Sequence, residues 1–385
     1  MNRAWKRWVP AAAVPAMIAA GVLVGSIPAR AGDPLPAKSP AEVLTLLGQH
    51  SARTFSGTLE QVSDLGLPEL PAGAPTSGPA SPGSAGGPAS IIELLTGQHT
   101  ARIFADGPAK MRVQVMDRLA ERDVIWRDQD VWFYNSKDNS AAHLSLPAAA
   151  KDQPLQAPDQ PAPSIATPED LAAKFLANAD SSTAVTVGPE TQVAGRSAYS
   201  LELAPRTDGT LLEKVAIAVD GQTGMPLRVT VSARGQAKPV FQAGFTSLSL
   251  AAPEDAAFNF AAPPGATLKE LPAPSMPGHP GKSGMVTPGH MPGDAPELQH
   301  HDGSKPAVTG TGWETVVGFP APPDGQGAQM TESLLKDPLL SQAAVVVPEG
   351  RLLSTSLVNV LLTSDGRIFV GMVPADRLQA AAGAA

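Results

Sequence analysis

Apolar and polar positions alternate along much of the chain between residues 100 and 250. A period of two is typical of strands that bury one face, and a short Gly-containing segment between two such runs predicts a hairpin. The clearest hairpin turns at residues 221–224 and places two aliphatic sets opposite each other: Val215, Ile217 and Val219, then Leu227, Val229 and Val231. The same alternation puts Met111, Val113 and Val115 on one side of a strand at 110–117.

Short intervals separate these runs, which is typical of antiparallel sheet. The predicted strands lie at 56–62, 100–104, 110–117, 123–127, 131–134, 142–146, 184–187, 192–194, 198–204, 213–220, 226–233 and 240–250. We therefore expect residues 32–270 to form a mainly β domain of the α+β class.

Two capped segments predict helices within this domain. Ser39-Pro40-Ala41-Glu42 combines an N-cap, a first-turn proline and a capping-box Glu, and apolar residues follow on one side, so a helix is predicted over about 40–52. Thr167-Pro168-Glu169-Asp170 has the same pattern and predicts a second helix that ends near residue 179. Two amphipathic helices are enough to cover part of a sheet.

Composition divides the chain into further segments. The 385 residues include 36 Gly and 40 Pro, and segments rich in them bury too little apolar surface to offset the entropy of ordering. Residues 71–90 hold only Pro, Gly, Ala and Ser apart from Thr76, which predicts a disordered insertion, and residues 271–303 predict a linker. Residues 304–385 regain order as a small α/β module, with strands at 313–319, 352–362 and 368–373 and a helix at 332–342.

The N-terminal residues 1–31 have the pattern of a targeting segment. Arg3, Lys6 and Arg7 precede an uncharged stretch at 9–27, and Ala29-Arg30-Ala31 matches the small-x-small pattern of a cleavage site. The sequence therefore predicts export, either by cleavage after Ala31 or with the segment retained as an anchor, since nineteen uncharged residues could just span a bilayer. In both cases the rest of the chain lies on the outer side of the cytoplasmic membrane.

Several function classes are disfavoured by residue content. The chain has no Cys, which excludes disulfides, thiolate metal sites and a cysteine nucleophile. A formal charge of −8 argues against nucleic acid as a partner. The segment 280–283 resembles the end of a phosphate-binding loop but lacks its first glycine, and no other catalytic motif is complete. We expect neither enzyme activity nor a cofactor.

One unusual cluster lies in the predicted linker. It interleaves Met276, Met285 and Met291 with four histidines: His279, His290, His300 and His301. Imidazole and thioether groups together suit copper, which makes these histidines weak candidates for a metal site. The spacings are irregular, however, and a flexible chain loses conformational entropy when it wraps an ion, so a solvated linker without a specific metal is the competing interpretation.

An ordered series of phrases resembles a known bacterial family. The phrases are FSGT at 55–58, KMRV at 110–113, DVWFYN at 130–135, VAGRSAY at 193–199, VD at 219–220, MPLRV at 225–229, FT at 245–246, FNF at 258–260, RLLST at 351–355 and SDGR at 364–367. Together they resemble the lipoprotein-carrier superfamily, which includes the LolA-like, LppX-like and RseB-like proteins, and in particular its secreted actinobacterial members.

The resemblance implies a curved, half-open antiparallel barrel that is covered by helices and whose concave face is an apolar cavity for acyl chains. The candidate cavity residues are then Met111, Val113, Val115, Trp132, Val215, Ile217, Val219, Leu227, Val229 and Val231. The same residues would also fill an ordinary core, and periodicity alone does not separate a lined cavity from a filled one.

Two functions follow from the resemblance. The first is a non-enzymatic carrier that binds lipid or the acyl chains of lipoproteins outside the membrane. The alternative is an envelope-stress regulator that acts on a membrane anti-sigma factor, which the additional module at 304–385 favours. Extracellular metal handling by the linker is a third, weaker hypothesis.

Overall fold

The computed structural model describes residues 34–66, 97–116, 120–146, 165–271, 306–321 and 344–384. Within these ranges the chain forms a sheet of twelve strands, a second sheet of six strands and three α-helices. The described residues from Lys38 onward belong to one compact unit, so the two sheets pack together. None of the described helices is both long and apolar enough to cross a membrane.

The large sheet contains the first twelve strands of the chain. They are β1 Thr54–Ser63, β2 Gly97–Asp106, β3 Lys110–Met116, β4 Glu121–Arg127, β5 Asp130–Asn135, β6 Ser140–Ser145, β7 Thr183–Val193, β8 Arg196–Pro205, β9 Leu212–Asp220, β10 Pro226–Ala233, β11 Phe241–Ser249 and β12 Thr267–Leu271.

Strand order shows how this sheet is built. The order is β12-β6-β5-β4-β3-β2-β1-β11-β10-β9-β8-β7. Neighbours are antiparallel except β12 and β6, which are parallel. The outermost strands, β12 and β7, are not paired with each other, so the described sheet is open. The predicted fold class is confirmed: a mainly β, half-open antiparallel barrel with helices and a small C-terminal α/β module.

Local capping chemistry sets the start of the first two helices, as predicted. Helix α1 spans Pro40–Gly48, and the Glu42 carboxylate accepts a hydrogen bond from the Ser39 amide at 2.7 Å. Helix α2 spans Pro168–Ala177 and has the same reciprocal cap between Thr167 and Asp170. Each helix satisfies its exposed N-terminal amides in this way.

The C-terminal module is a separate small sheet with its own core. Its strands are β13 Ala307–Thr309, β14 Val316–Phe319, β15 Ala344–Val347, β16 Gly350–Ser354, β17 Asn359–Thr363 and β18 Ile368–Gly371, in the order β13-β14-β18-β17-β16-β15. Helix α3, Ala375–Ala384, covers it. Leu361, Phe369 and Leu378 are buried between the sheet and the helix.

Specific hydrogen bonds hold this module against the large sheet. The buried indole of Trp313 donates to Thr183 Oγ1 at 2.8 Å, and its ring lies 6.4 Å from the ring of Phe175 on α2. The Leu211 amide donates to the Met372 carbonyl at 2.8 Å. Because a Trp side chain and backbone groups both take part, the module has a fixed position relative to β7 and β9.

The tail differs from the prediction in several places. Gly312–Glu314 form a 3-10 helix where the strand at 313–319 was expected to begin, and β13 and β15 were not predicted. Residues 352–362 were expected as one strand, but they belong to β16 and β17, which are joined by a turn. Thr355 Oγ1 makes that turn, since it donates to the Val358 carbonyl at 2.7 Å and accepts from the Val358 amide at 2.9 Å. Helix α3 was not predicted. The segments 1–31, 71–90 and 332–342 lie outside the described residues.

Candidate functional site

A continuous row of apolar side chains crosses one face of the large sheet. Residues that lie directly opposite each other on paired strands share a face, as do alternate residues of one strand. Pairing from β3 to β8 gives the row Val115, Ala101, Leu59, Phe245, Ala243, Val229, Ile217 and Leu201. Each of these side chains is at most 4% exposed.

One half of this face, on β8 to β10, is completely buried. The predicted site residues there are 0–1% exposed: Val215, Ile217, Val219, Leu227, Val229 and Val231. Helix α1 packs on β7 and β8, and α2 packs on β9 and β10. The other face of the same strands is only half-buried, for example at Lys214 and Thr230, so the helices cover the apolar face. These six residues are therefore buried between the sheet and the helices.

The other half of the same face, on β3 to β5, is less covered. Val113 pairs with Val124, which pairs with Phe133, and all three are half-buried. Met111 pairs with Trp126, and Met111 is 39% exposed. We refer to Met111, Val113, Val124, Trp126 and Phe133 as the open patch. Val115, the third residue predicted on β3, is fully buried beside it.

Trp132 lies on the opposite face from the other predicted site residues. It pairs with His143 on β6 and stacks on that ring at a centroid distance of 4.2 Å. Phe260 covers it from above at 5.1 Å. His143 in turn lies 3.0 Å from Asp130 and 2.9 Å from Glu270 on β12. Trp132 therefore packs beneath the segment that follows β11 and is not adjacent to the open patch.

Ion pairs fasten that segment to the polar face. The Asp255 carboxylate lies 2.6 Å from Lys110 and 2.9 Å from Arg127, and the hydrogen bond from Lys110 is the main reason that the pKa of Asp255 is lowered. Arg112 donates to both oxygens of Asp123, at 3.2 and 2.7 Å. Burial raises the pKa of Asp123 in spite of that pair.

A second buried ion pair joins two of the family-like phrases. Arg196 donates to Asp220 through two nitrogens, at 3.0 and 2.8 Å, and Asp220 is 1% exposed. Burial disfavours the Asp220 carboxylate, but hydrogen bonds from Arg196 and Thr223 outweigh it, so the pKa of Asp220 is lowered. The pair fixes the β9–β10 turn against β8 and has a structural role.

The candidate metal ligands of the linker are four histidines. His279, His290, His300 and His301 lie outside the described residues. In the described ranges no group of three His, Asp or Glu side chains is arranged so that it could hold a metal ion. Metal binding by the linker stays a prediction.

Sequence reasoning did not select three members of the open patch: Val124, Trp126 and Phe133. On β4 the three consecutive apolar residues Val124, Ile125 and Trp126 do not alternate with polar ones, so the pattern does not show which of them face the patch. On β5, four consecutive residues from Val131 are apolar or aromatic, so periodicity cannot decide which of them face the patch. The register of β4 against β5 decides it.

The chain matches no family model, and no curated protein matches it. It is similar to solved structures at low identity. A MucA/MucB complex from Pseudomonas aeruginosa is 17% identical, with 89% of this chain and 96% of that chain covered and a TM-score of 0.40. A conserved protein from Thermus thermophilus is 12% identical, with 60% and 98% covered and a TM-score of 0.32. A LolA-superfamily protein from Nitrosomonas europaea is 12% identical, with 58% and 99% covered and a TM-score of 0.22. The matched structures include LolA-superfamily and MucB proteins.

Proposed function

We propose that this protein is a non-enzymatic binding protein that holds lipid or the acyl chains of lipoproteins outside the cytoplasmic membrane. The open patch is the observation that supports this function, because it leaves apolar side chains half-buried or exposed beside a rigid, packed core. Apolar surface that is only partly covered in this way is available to a ligand or partner, although Val124, Trp126 and Phe133 also pack against the buried Val131, Leu144 and Leu146. The export pattern at residues 1–31 and the resemblance to lipoprotein carriers support acyl chains as the ligand.

Binding at the open patch would be driven by burial of methylene groups. Each buried CH₂ contributes about 0.8 kcal/mol before ordering costs, which corresponds to about a fourfold gain in affinity per methylene. The indole of Trp126 already donates to the Asp128 carbonyl at 2.8 Å, so its ring can contact an apolar ligand without leaving a polar group unpaired. Affinity should therefore rise with acyl-chain length and respond little to salt.

The test is fatty-acid binding by the full chain, measured with a fluorescent fatty acid that is displaced by saturated acids of increasing length. Val113→Asp and Phe133→Asp place a carboxylate in the open patch and should abolish binding. Neither side chain is fully buried, so both variants should keep the wild-type fold, as judged by circular dichroism.

A matched control is Val346→Asp on β15, where the valine is 71% exposed. It adds the same charge to an apolar position outside the large sheet and should bind like the wild type. Wild-type protein that binds no acid of any length, or an open-patch variant that binds equally well, would contradict the carrier function. Charged substitutions at Ile217 do not test binding, because a charge at this buried position should unfold the protein.

A second candidate function is an envelope-stress regulator that binds a membrane anti-sigma factor. The edge strand β15 favours it, because Val345 and Val346 are 62% and 71% exposed and β15 is the last strand of the small sheet. An exposed apolar edge strand can pair with an extended peptide. The hydrogen bond from Trp313 to Thr183 would couple a structural change at β15 to the large sheet.

Calorimetry with the extracytoplasmic segments of the host's anti-sigma factors tests this candidate. Replacing Val345 and Val346 by Lys disfavours the pairing of another strand with β15. The change should abolish peptide binding while fatty-acid binding stays intact. Loss of fatty-acid binding alone, in the Val113→Asp variant, would separate the two functions.

A further inference from the structure

The polar face of the large sheet holds a pocket that acyl-chain binding does not use. Its volume is about 290 Å³, and it lies where β1 passes between β2 and β11. Six of the eight residues that line it lie on this face of the sheet: Ser56, Thr58, Arg102, Phe104, Ser247 and Ser249. We refer to this site as the hydroxyl pocket.

Strand register places these side chains in two parallel rows. Ser56 lies opposite Phe104 on one side and Ser249 on the other. Thr58 lies opposite Arg102 and Ser247 in the same way. Directly opposed residues share a face, so four hydroxyl groups and one guanidinium converge on one surface. This surface is the reverse of the one that carries Leu59, Ala101 and the open patch.

A bulge brings β1 and β11 unusually close at the pocket. The register shifts between Thr58 and Leu59, so β11 has one extra residue there. A Cβ on Gly57 would lie 2.6 Å from the Ser247 carbonyl oxygen, hence only glycine permits the approach. Bulges redirect side chains and occur near functional sites. The close approach positions Ser247 and Ser249 beside the hydroxyls of β1.

The hydroxyl groups are available as donors. Ser247 Oγ accepts a hydrogen bond from the Thr58 amide at 3.2 Å, and Ser249 Oγ accepts from the Ala251 amide at 3.3 Å. Each serine therefore uses a lone pair and keeps its proton for a ligand. Ser56 and Thr58 make no side-chain hydrogen bond within the part of the chain that the structure describes.

Arg102 is likewise available. Its guanidinium is exposed and forms no ion pair or hydrogen bond among the described residues. The acidic groups that share this face have other donors: Glu60 accepts from Gln98, and Glu121 accepts from Gln114 at 2.7 Å. A guanidinium is suited to bidentate recognition of phosphate and carboxylate oxygens.

We propose that the hydroxyl pocket binds a phosphate-class oxyanion, with Arg102 as its cationic anchor and the four hydroxyls as additional donors. Phe104 supplies an apolar wall for the organic part of the ligand. The same chemistry occurs in phospholipid head groups and in soluble phosphate compounds. The site does not depend on acyl-chain binding, because it occupies the opposite face of the sheet.

Phosphate binding by the full chain, followed by ³¹P NMR and calorimetry with inorganic phosphate, tests the proposal. Arg102→Gln should weaken binding at least about tenfold, since charge-assisted hydrogen bonds are lost. Thr58→Val keeps the side-chain shape, removes one hydroxyl and should weaken binding several-fold. Glu60→Gln removes a nearby negative charge and should strengthen binding, an effect that general destabilisation would not produce.

Arg206→Gln is the matched control. Arg206 is exposed, lies outside the pocket and makes no side-chain hydrogen bond or ion pair within the described ranges. Its replacement by Gln changes the net charge by the same amount as Arg102→Gln. Sedimentation with phosphatidylglycerol vesicles, compared with phosphatidylcholine vesicles, shows whether the ligand is a phospholipid head group or a soluble phosphate compound. Arg102-dependent vesicle binding indicates a lipid head group, and Arg102-dependent phosphate binding without it indicates a soluble ligand. If Arg102→Gln binds both probes as Arg206→Gln does, the hydroxyl pocket is not an oxyanion site.

Discussion

Truncation of Ile217 to Ala measures how completely the β8–β10 half of the apolar face is filled. Ile217 is 0% exposed and lies directly between Leu201 and Val229, which are also 0% exposed. The substitution removes three carbon atoms, worth about 2.4 kcal/mol of transfer free energy at ~0.8 kcal/mol each. The cavity left behind adds to this cost, and buried Ile-to-Ala changes usually lower the free energy of unfolding by about 2–5 kcal/mol.

Met111→Ala is the matched comparison on the same face. It also removes three heavy atoms, but Met111 is 39% exposed, so the loss should be about 1 kcal/mol or less because little transfer free energy is lost from an exposed position. Urea unfolding followed by circular dichroism and tryptophan fluorescence gives both values. Equal losses for the two variants, or a loss below about 1 kcal/mol for Ile217→Ala, would refute the division into a filled half and an open patch.

Three further changes test local features of the fold. Arg196→Met leaves the buried Asp220 carboxylate without its partner and should lower the free energy of unfolding by about 3–5 kcal/mol at neutral pH. Because the pKa of Asp220 is lowered in the folded protein, the ion pair stabilises the folded state fully above the unfolded carboxyl pKa of ~3.9. Urea titrations should therefore show that the difference from wild type shrinks as the pH falls through the folded pKa. Gly224→Ala places a Cβ 2.2 Å from the Leu46 carbonyl oxygen at a φ of 76°, so it should cost about 1–3 kcal/mol and make helix α1 more sensitive to proteolysis. Ser39→Ala removes the N-cap of α1 and should cost about 1 kcal/mol in a thermal melt; no change in any of the three would contradict the corresponding contact.

Local signals in the sequence predicted the elements that local chemistry determines. The helix starts at Pro40 and Pro168 depend on side chains within one turn, and both capping boxes are present. The hairpin at 221–224 likewise depends on its own glycines. Its strands pair as expected at Ile217–Val229 and Val215–Val231, but the register shifts beside the turn, where Val219 pairs with Pro226. Predictions succeeded where the deciding atoms are neighbours in the chain.

The sequence did not predict which face of a strand is covered where the covering segment is distant in the chain. Both sides of β5 are apolar, and the segment containing Phe260 covers the side that carries Trp132. That segment lies more than a hundred residues further along the chain, so no local pattern could assign Trp132 to one face. The burial of the β8–β10 half has the same origin, because it is covered by helices α1 and α2.

Strand β2 shows why one sheet can carry two independent sites. Ala101 and Ile103 are buried on the apolar face, while Arg102 and Phe104 line the hydroxyl pocket. A slip of one residue would exchange the two faces and bury the Arg102 guanidinium among aliphatic side chains without a partner, which is strongly unfavourable. The register that packs the core therefore also presents the cation to solvent. Folding couples the open patch and the hydroxyl pocket through this shared register, but their ligands would meet different faces, so a variant that loses one kind of binding should retain the other.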